Sequence, residues 1–75
     1  MKELVEYVAK SLVDDPSQVE VAQTEGGSTI VIELKVAPED VGRVIGRNGR
    51  VANALRTLLR VSATRQGKRV NLEII

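Results

Sequence analysis

Apolar residues recur along the chain in two rhythms. Over residues 2–13, Leu4, Val5, Val8, Ala9 and Leu12 fall at i, i+1, i+4, i+5 and i+8, one face of a 3.6-residue period, which predicts an amphipathic helix. Asp14-Asp15-Pro16-Ser17 ends it, because proline drives the residue before it out of helical geometry. Val19 and Val21 alternate with polar neighbours as a short strand. Glu25-Gly26-Gly27-Ser28 reads as a turn, and the β-branched run from Thr29 to Val36 returns from it as a hairpin. In that second strand Ile30, Ile32, Leu34 and Val36 share one face, with Glu33 and Lys35 on the other.

Pro38 with Glu39 and Asp40 signals a helix start, a fixed φ followed by acids at the positive dipole end. That helix carries Val41, Val44 and Ile45 and stops at Gly46. A longer one resumes near Arg50 and runs to about Ala63, with Val51, Ala54, Leu55, Leu58, Val61 and Ser62 predicted as its inner stripe. Val70, Leu72 and Ile74 alternate with Asn71 and Glu73 as a last strand. The order is α-β-β-α-α-β. A helical crossover makes the second and third strands parallel, and the hairpin makes the first antiparallel. The expected fold is α+β, a three-stranded mixed sheet covered on one face by three helices, as a single domain over residues 1–75.

Composition removes whole classes of chemistry. With no cysteine and no histidine, disulfides, thiol catalysis, Cys/His zinc sites and Ser-His machinery are excluded, and no cofactor is implied. No carboxylate pair lies near the glycines of 46–49, so the chain is not expected to be an enzyme. No apolar run exceeds three residues, which argues against a membrane span or a signal-peptide core and for a cytoplasmic protein. Aromatics reduce to Tyr7, so any nucleic-acid binding must rely on backbone, aliphatic surface and charge rather than ring stacking.

The net charge of +1 conceals an asymmetry. Residues 1–40 hold three basic side chains against nine acidic ones, a net of −6, while residues 41–75 hold eight against one, a net of +7. Seven of those eight are arginine, suited to forked contacts with phosphate. Two readings stay open on charge alone: the basic half meets a polyanion, or it pairs with the acidic half within the fold.

The segment Val44-Ile45-Gly46-Arg47-Asn48-Gly49, flanked by Arg43 and Arg50, concentrates the candidate chemistry. Two glycines let the backbone approach another chain closely. The loop opens a helix whose unpaired N–H groups favour phosphate, and Arg47 and Asn48 add a charge and a neutral donor. Val41, Val44 and Ile45 would form an aliphatic wall for unstacked bases. The plain alternative is a helix-to-helix connector in which Gly46 caps and Gly49 relieves crowding. Arg56 and Arg60, one turn apart, either extend a phosphate track beyond the loop or belong to a solvated face. Leu59, Val61 and Ala63 give the third helix more apolar surface than one sheet face needs, which suits either deep burial or a second copy.

The VIGRNG segment followed by Arg50-Val51, within an α-β-β-α-α-β order, resembles the VIGxxG signature of type II K-homology (KH) domains. The match runs along essentially the whole chain, and in length and in its Gly67-Lys68-Arg69-Val70 ending it is similar to the small free-standing bacterial KhpA family. The resemblance implies a single-stranded RNA-binding protein in which the Gly46–Gly49 loop grips the backbone of about four nucleotides beside an apolar groove; single-stranded DNA stays open. It also implies a role as RNA chaperone or post-transcriptional regulator, a link to cell shape and cell-wall biogenesis, and homodimers or complexes with a larger KH-containing partner resembling KhpB. The alternative function is a ribosome-associated or protein-scaffolding module with no affinity for free RNA.

Overall fold

The computed structural model describes residues 1–75. Helix α1 spans Lys2–Leu12, strands β1 and β2 span Glu20–Gly26 and Thr29–Lys35, helix α2 spans Val41–Ile45, helix α3 spans Arg50–Arg65, and strand β3 spans Arg69–Ile74. Short 3-10 turns at Pro16–Gln18, Pro38–Asp40 and Arg47–Gly49 occupy three of the connections. The α-β-β-α-α-β order expected from the periodicities is therefore the one observed.

The sheet is ordered β1-β2-β3. Strand β1 runs antiparallel to β2, with Glu20 opposite Lys35 and Gly26 opposite Thr29. Strand β3 runs parallel to β2, with Thr29 opposite Arg69 and Leu34 opposite Ile74. The alternation in β2 sets the inner face, and Ile30, Ile32 and Leu34 are completely buried there. They join Val5 and Ala9 of α1, Val44 of α2, Leu55 and Leu59 of α3, and Leu72 of β3 in one core. At the hairpin end, the Lys68 ammonium sits 2.6 Å from the Glu25 carboxylate. Its hydrogen bond and charge hold that carboxyl below its ordinary value of 4.5.

One expectation fails. The inner stripe of α3 is Ala52, Leu55, Leu59 and Ala63, whereas Leu58 and Val61 are 54% and 51% exposed. Apolar residues cover slightly more than half the circumference of α3, so two stripes compete for the sheet. The one bearing alanines at both ends lies down on it, because small side chains let helix and sheet approach closely. The bulkier stripe through Val51, Ala54, Leu58 and Val61 is left facing outward beside Val8 of α1, over a hollow of about 250 Å³.

Candidate nucleic-acid interface

The glycine loop is built by steric necessity. Helix α2 ends where Gly46 turns to φ 78°, ψ 170°. A Cβ there would meet Val51 Cγ2 at 2.6 Å and the Val51 backbone nitrogen at 2.9 Å. The chain thus folds back hard against the first turn of α3, and only glycine fits. Asn48 (φ 57°) and Gly49 (φ 75°) follow in left-handed geometry, which asparagine and glycine tolerate best. The Gly49 N–H donates to the Gly46 carbonyl at 3.1 Å and closes the turn. Arg47 and Asn48 are left exposed at its tip.

Charge is arranged against the ordinary preference of a helix. No side chain caps the N-terminus of α3, and its first turn holds no acid. Arg50 begins the helix and Arg47 opens the 3-10 turn that leads into it, both near the positive end of the dipole, where a cation is disfavoured by about 0.3–1 kcal/mol. Farther along, Arg56 and Arg60 lie beside β3 and line a cleft of about 160 Å³ with Leu59, Val70, Asn71 and Leu72. Arg47, Arg50, Arg56, Arg60, Arg65 and Arg69 form no ion pair; within the basic half only Arg43 and Lys68 do. Internal neutralisation therefore accounts for two of the eight cations of residues 41–75, and the arginines along the loop and cleft keep their charge for something else.

A family model described as the KhpA/KhpB KH domain matches residues 2–74. The chain belongs to the KhpA/KhpB family of KH domains. It is 56% identical over 75 residues to the RNA-binding protein KhpA of Caldanaerobacter subterraneus subsp. tengcongensis, covering 100% of both chains. With the RNA-binding protein KhpA of Clostridium acetobutylicum it shares 53% identity, again over 100% of both. With that of Aquifex aeolicus the identity is 51%, over 100% of this chain and 95% of the other. Among solved structures, that of Era in complex with MgGDPNP and a stretch of 16S ribosomal RNA superposes with a TM-score of 0.57 at 24% identity. It covers 97% of this chain and 28% of Era, a likeness of fold alone. The KhpA/KhpB family is not one of enzymes, and no helix of the chain is long and apolar enough to cross a membrane.

Within this KH domain one residue expected at the interface lies beneath it, and another is tied up in ion pairs. Val44 is completely buried in the core, because the inward face of the five-residue α2 packs against α3 and α1. It supports the loop from beneath and offers no surface to a ligand. Ile45, 37% exposed, and the half-buried Val41 are what remain of the aliphatic wall. Arg43 is exposed but ion-paired: its Nη2 lies 3.0 Å from Asp14 Oδ2 and its Nε 3.5 Å from Asp40 Oδ1. Arg56 donates from Nη2 to the Leu72 carbonyl at 3.3 Å, which anchors it over the outer edge of β3. The largest hollow, about 470 Å³, lies away from all of these, on the uncovered sheet face between Glu20, Ala22, Glu33 and Lys35.

Asp40 is the residue whose part sequence reasoning missed. Read as a helix-start acid, it is in fact the single buried charged side chain, with 0% exposure. The signal was present in Arg43 three residues later, the spacing of an acid–base pair on one helical face.

Proposed function

We propose that this KH domain binds single-stranded RNA without catalysis, acting in the cytoplasm as an RNA chaperone or post-transcriptional regulator. The sugar-phosphate backbone lies on the Gly46–Gly49 loop, and the bases lie along the cleft between α3 and β3. One observation carries the reading: an uncapped helix N-terminus that already bears two unpaired arginines, Arg47 and Arg50. This is an arrangement that costs stability unless an anion arrives. Full-length relatives named RNA-binding protein KhpA support the same reading. Gly46, Arg47, Asn48, Gly49 and Arg50 hold phosphate, Ile45 borders the first bases, and Arg60 with the free part of the Arg56 guanidinium continues the track. The near absence of aromatics agrees with bases held by an aliphatic and backbone-lined groove.

The experiment is fluorescence anisotropy of an unstructured RNA oligonucleotide across a salt series. The wild type should bind with an affinity that falls steeply as salt rises. The double variant Arg47→Asp with Asn48→Asp should lose binding at least tenfold while keeping its circular dichroism spectrum. Retained binding in that variant would remove the loop from the interface.

The outward stripe of α3 supports a second element of the proposal. Leu58 lines the hollow with Val8, Val51 and Ala54, Arg50 stands at its rim, and Val61 of α3 and Leu4 of α1 add exposed apolar side chains on the same two helices. A second copy of the chain is the proposed occupant, joined through the α1/α3 face. A larger KH-containing protein resembling KhpB would compete for the same surface.

A further inference from the structure

Between β2 and the glycine loop the chain makes a junction that neither the core nor the loop accounts for. Asp40 Oδ1 accepts the N–H of Asp14 at 3.1 Å and Oδ2 accepts the N–H of Asp15 at 3.1 Å. The same carboxylate faces Arg43 Nε at 3.5 Å, and Arg43 Nη2 reaches Asp14 Oδ2 at 3.0 Å. Asp15 is itself held in place by hydrogen bonds from the Ser17 hydroxyl and the Gln18 amide, which keep its carboxyl below the ordinary value of 3.8. One fully buried side chain thus ties the exit of α1 to the entry of α2.

What this junction holds is short. Helix α2 has five residues, no side-chain N-cap and only Val44 fully in the core. A single turn of helix is not stable by its own hydrogen bonds, so its direction has to be imposed from outside. Gly46 follows immediately, packed so close against Val51 that there is no room for a methyl group between them. We propose that the Asp14–Asp15–Asp40–Arg43 clasp sets the direction of α2 and with it the placement of the Gly46–Gly49 loop. Asp40 is then a positioning residue for strand binding, and Arg43 acts through Asp40 rather than by touching phosphate. The inference rests on the RNA-binding reading above and assigns the residues that make its loop competent.

The test uses the whole chain in four forms: wild type, Asp40→Asn, Arg43→Gln and Ile32→Val. Asparagine keeps the size of the side chain but offers one acceptor oxygen for the two N–H groups and no charge for Arg43. Ile32→Val trims the buried centre of β2 and controls for a loss of stability without touching the clasp. Each form is titrated with the unstructured RNA oligonucleotide over a range of salt, below its own melting transition. Asp40→Asn and Arg43→Gln should each weaken binding about fivefold or more, while Ile32→Val binds as the wild type does. Arg43→Gln should leave the slope of log K against log salt unchanged, because no phosphate contact is lost. A slope shallower by about 0.7, the value for one phosphate contact on a single strand, would place Arg43 on the RNA and overturn the inference. So would clasp variants that bind no worse than Ile32→Val. Should Asp40→Asn fail to fold, Arg43→Gln carries the test alone, since it leaves the carboxylate and both of its N–H bonds in place. Failure of the underlying reading is separately visible as a wild type that binds no RNA.

Discussion

Gly46 and Gly49 share a positive φ but differ in what a side chain would meet. At Gly46 a Cβ collides with backbone and side-chain atoms of Val51, whereas at Gly49 its nearest neighbour is Asn53 Nδ2 at an ordinary 3.6 Å. Gly49→Ala should therefore cost about 1–2 kcal/mol, the left-handed penalty alone, and Gly46→Ala clearly more, because the loop must also move off α3. Urea denaturation of the two variants checks this, and equal midpoints would show that the Val51 contact is inconsequential. Adding Val51→Ala to Gly46→Ala should recover only part of the loss, since the clash with the backbone nitrogen persists. The glycine spacing was readable in the sequence together with its arginines. The burial of Val44 and the pairing of Arg43 were not, because five helical residues are too few to reveal a period. The partners Asp14 and Asp15 also lie 25 and more residues away from the carboxylate they serve.

At the scale of the element, α3 carries the sharpest conflict between stability and binding. Arg50 stands at the positive end of a 16-residue helix that begins without a cap or an acid. Arg50→Glu should stabilise the fold by about 0.5–1 kcal/mol through the dipole and at the same time weaken RNA binding severalfold, by placing a carboxylate where phosphate lies. Thermal melting and anisotropy read the two effects independently. A variant that lost stability and affinity together would mean that Arg50 is a structural residue. The same helix shows where periodicity runs out as a guide. Its existence and its limits followed from the apolar spacing, but that spacing was compatible with either of two stripes. Choosing between Ala52-Leu55-Leu59-Ala63 and Val51-Ala54-Leu58-Val61 requires knowing how near the helix must come to the sheet, which a single sequence does not state. The strands were more legible, because a period of two leaves one inner face, and Ile30, Ile32 and Leu34 occupy it fully.

For the whole molecule, the opposed charge of the two halves left open whether they neutralise one another. Two ion-paired contacts across the halves, Arg43 with the Asp14–Asp40 pair and Lys68 with Glu25, are the extent of it. The proposed pairing of two copies is tested at the same scale. Sedimentation equilibrium should give twice the chain mass for the wild type and the single mass for Leu58→Glu, which buries a carboxylate in an apolar contact. An unchanged mass in that variant would remove the α1/α3 face as the contact. The two flanks of α3 give this arrangement a directional consequence. Arg56 and Arg60 border β3, while Leu58 opens beside Val8 of α1 and Val61 is exposed on the same flank, nearly half a turn of the helix away. Two copies joined along the second flank would point their clefts outward, back to back, each free to hold its own stretch of polymer. Such a particle is a bridge: it can bring two distant segments of RNA, or two separate transcripts, to within one protein diameter of each other without either one displacing the other.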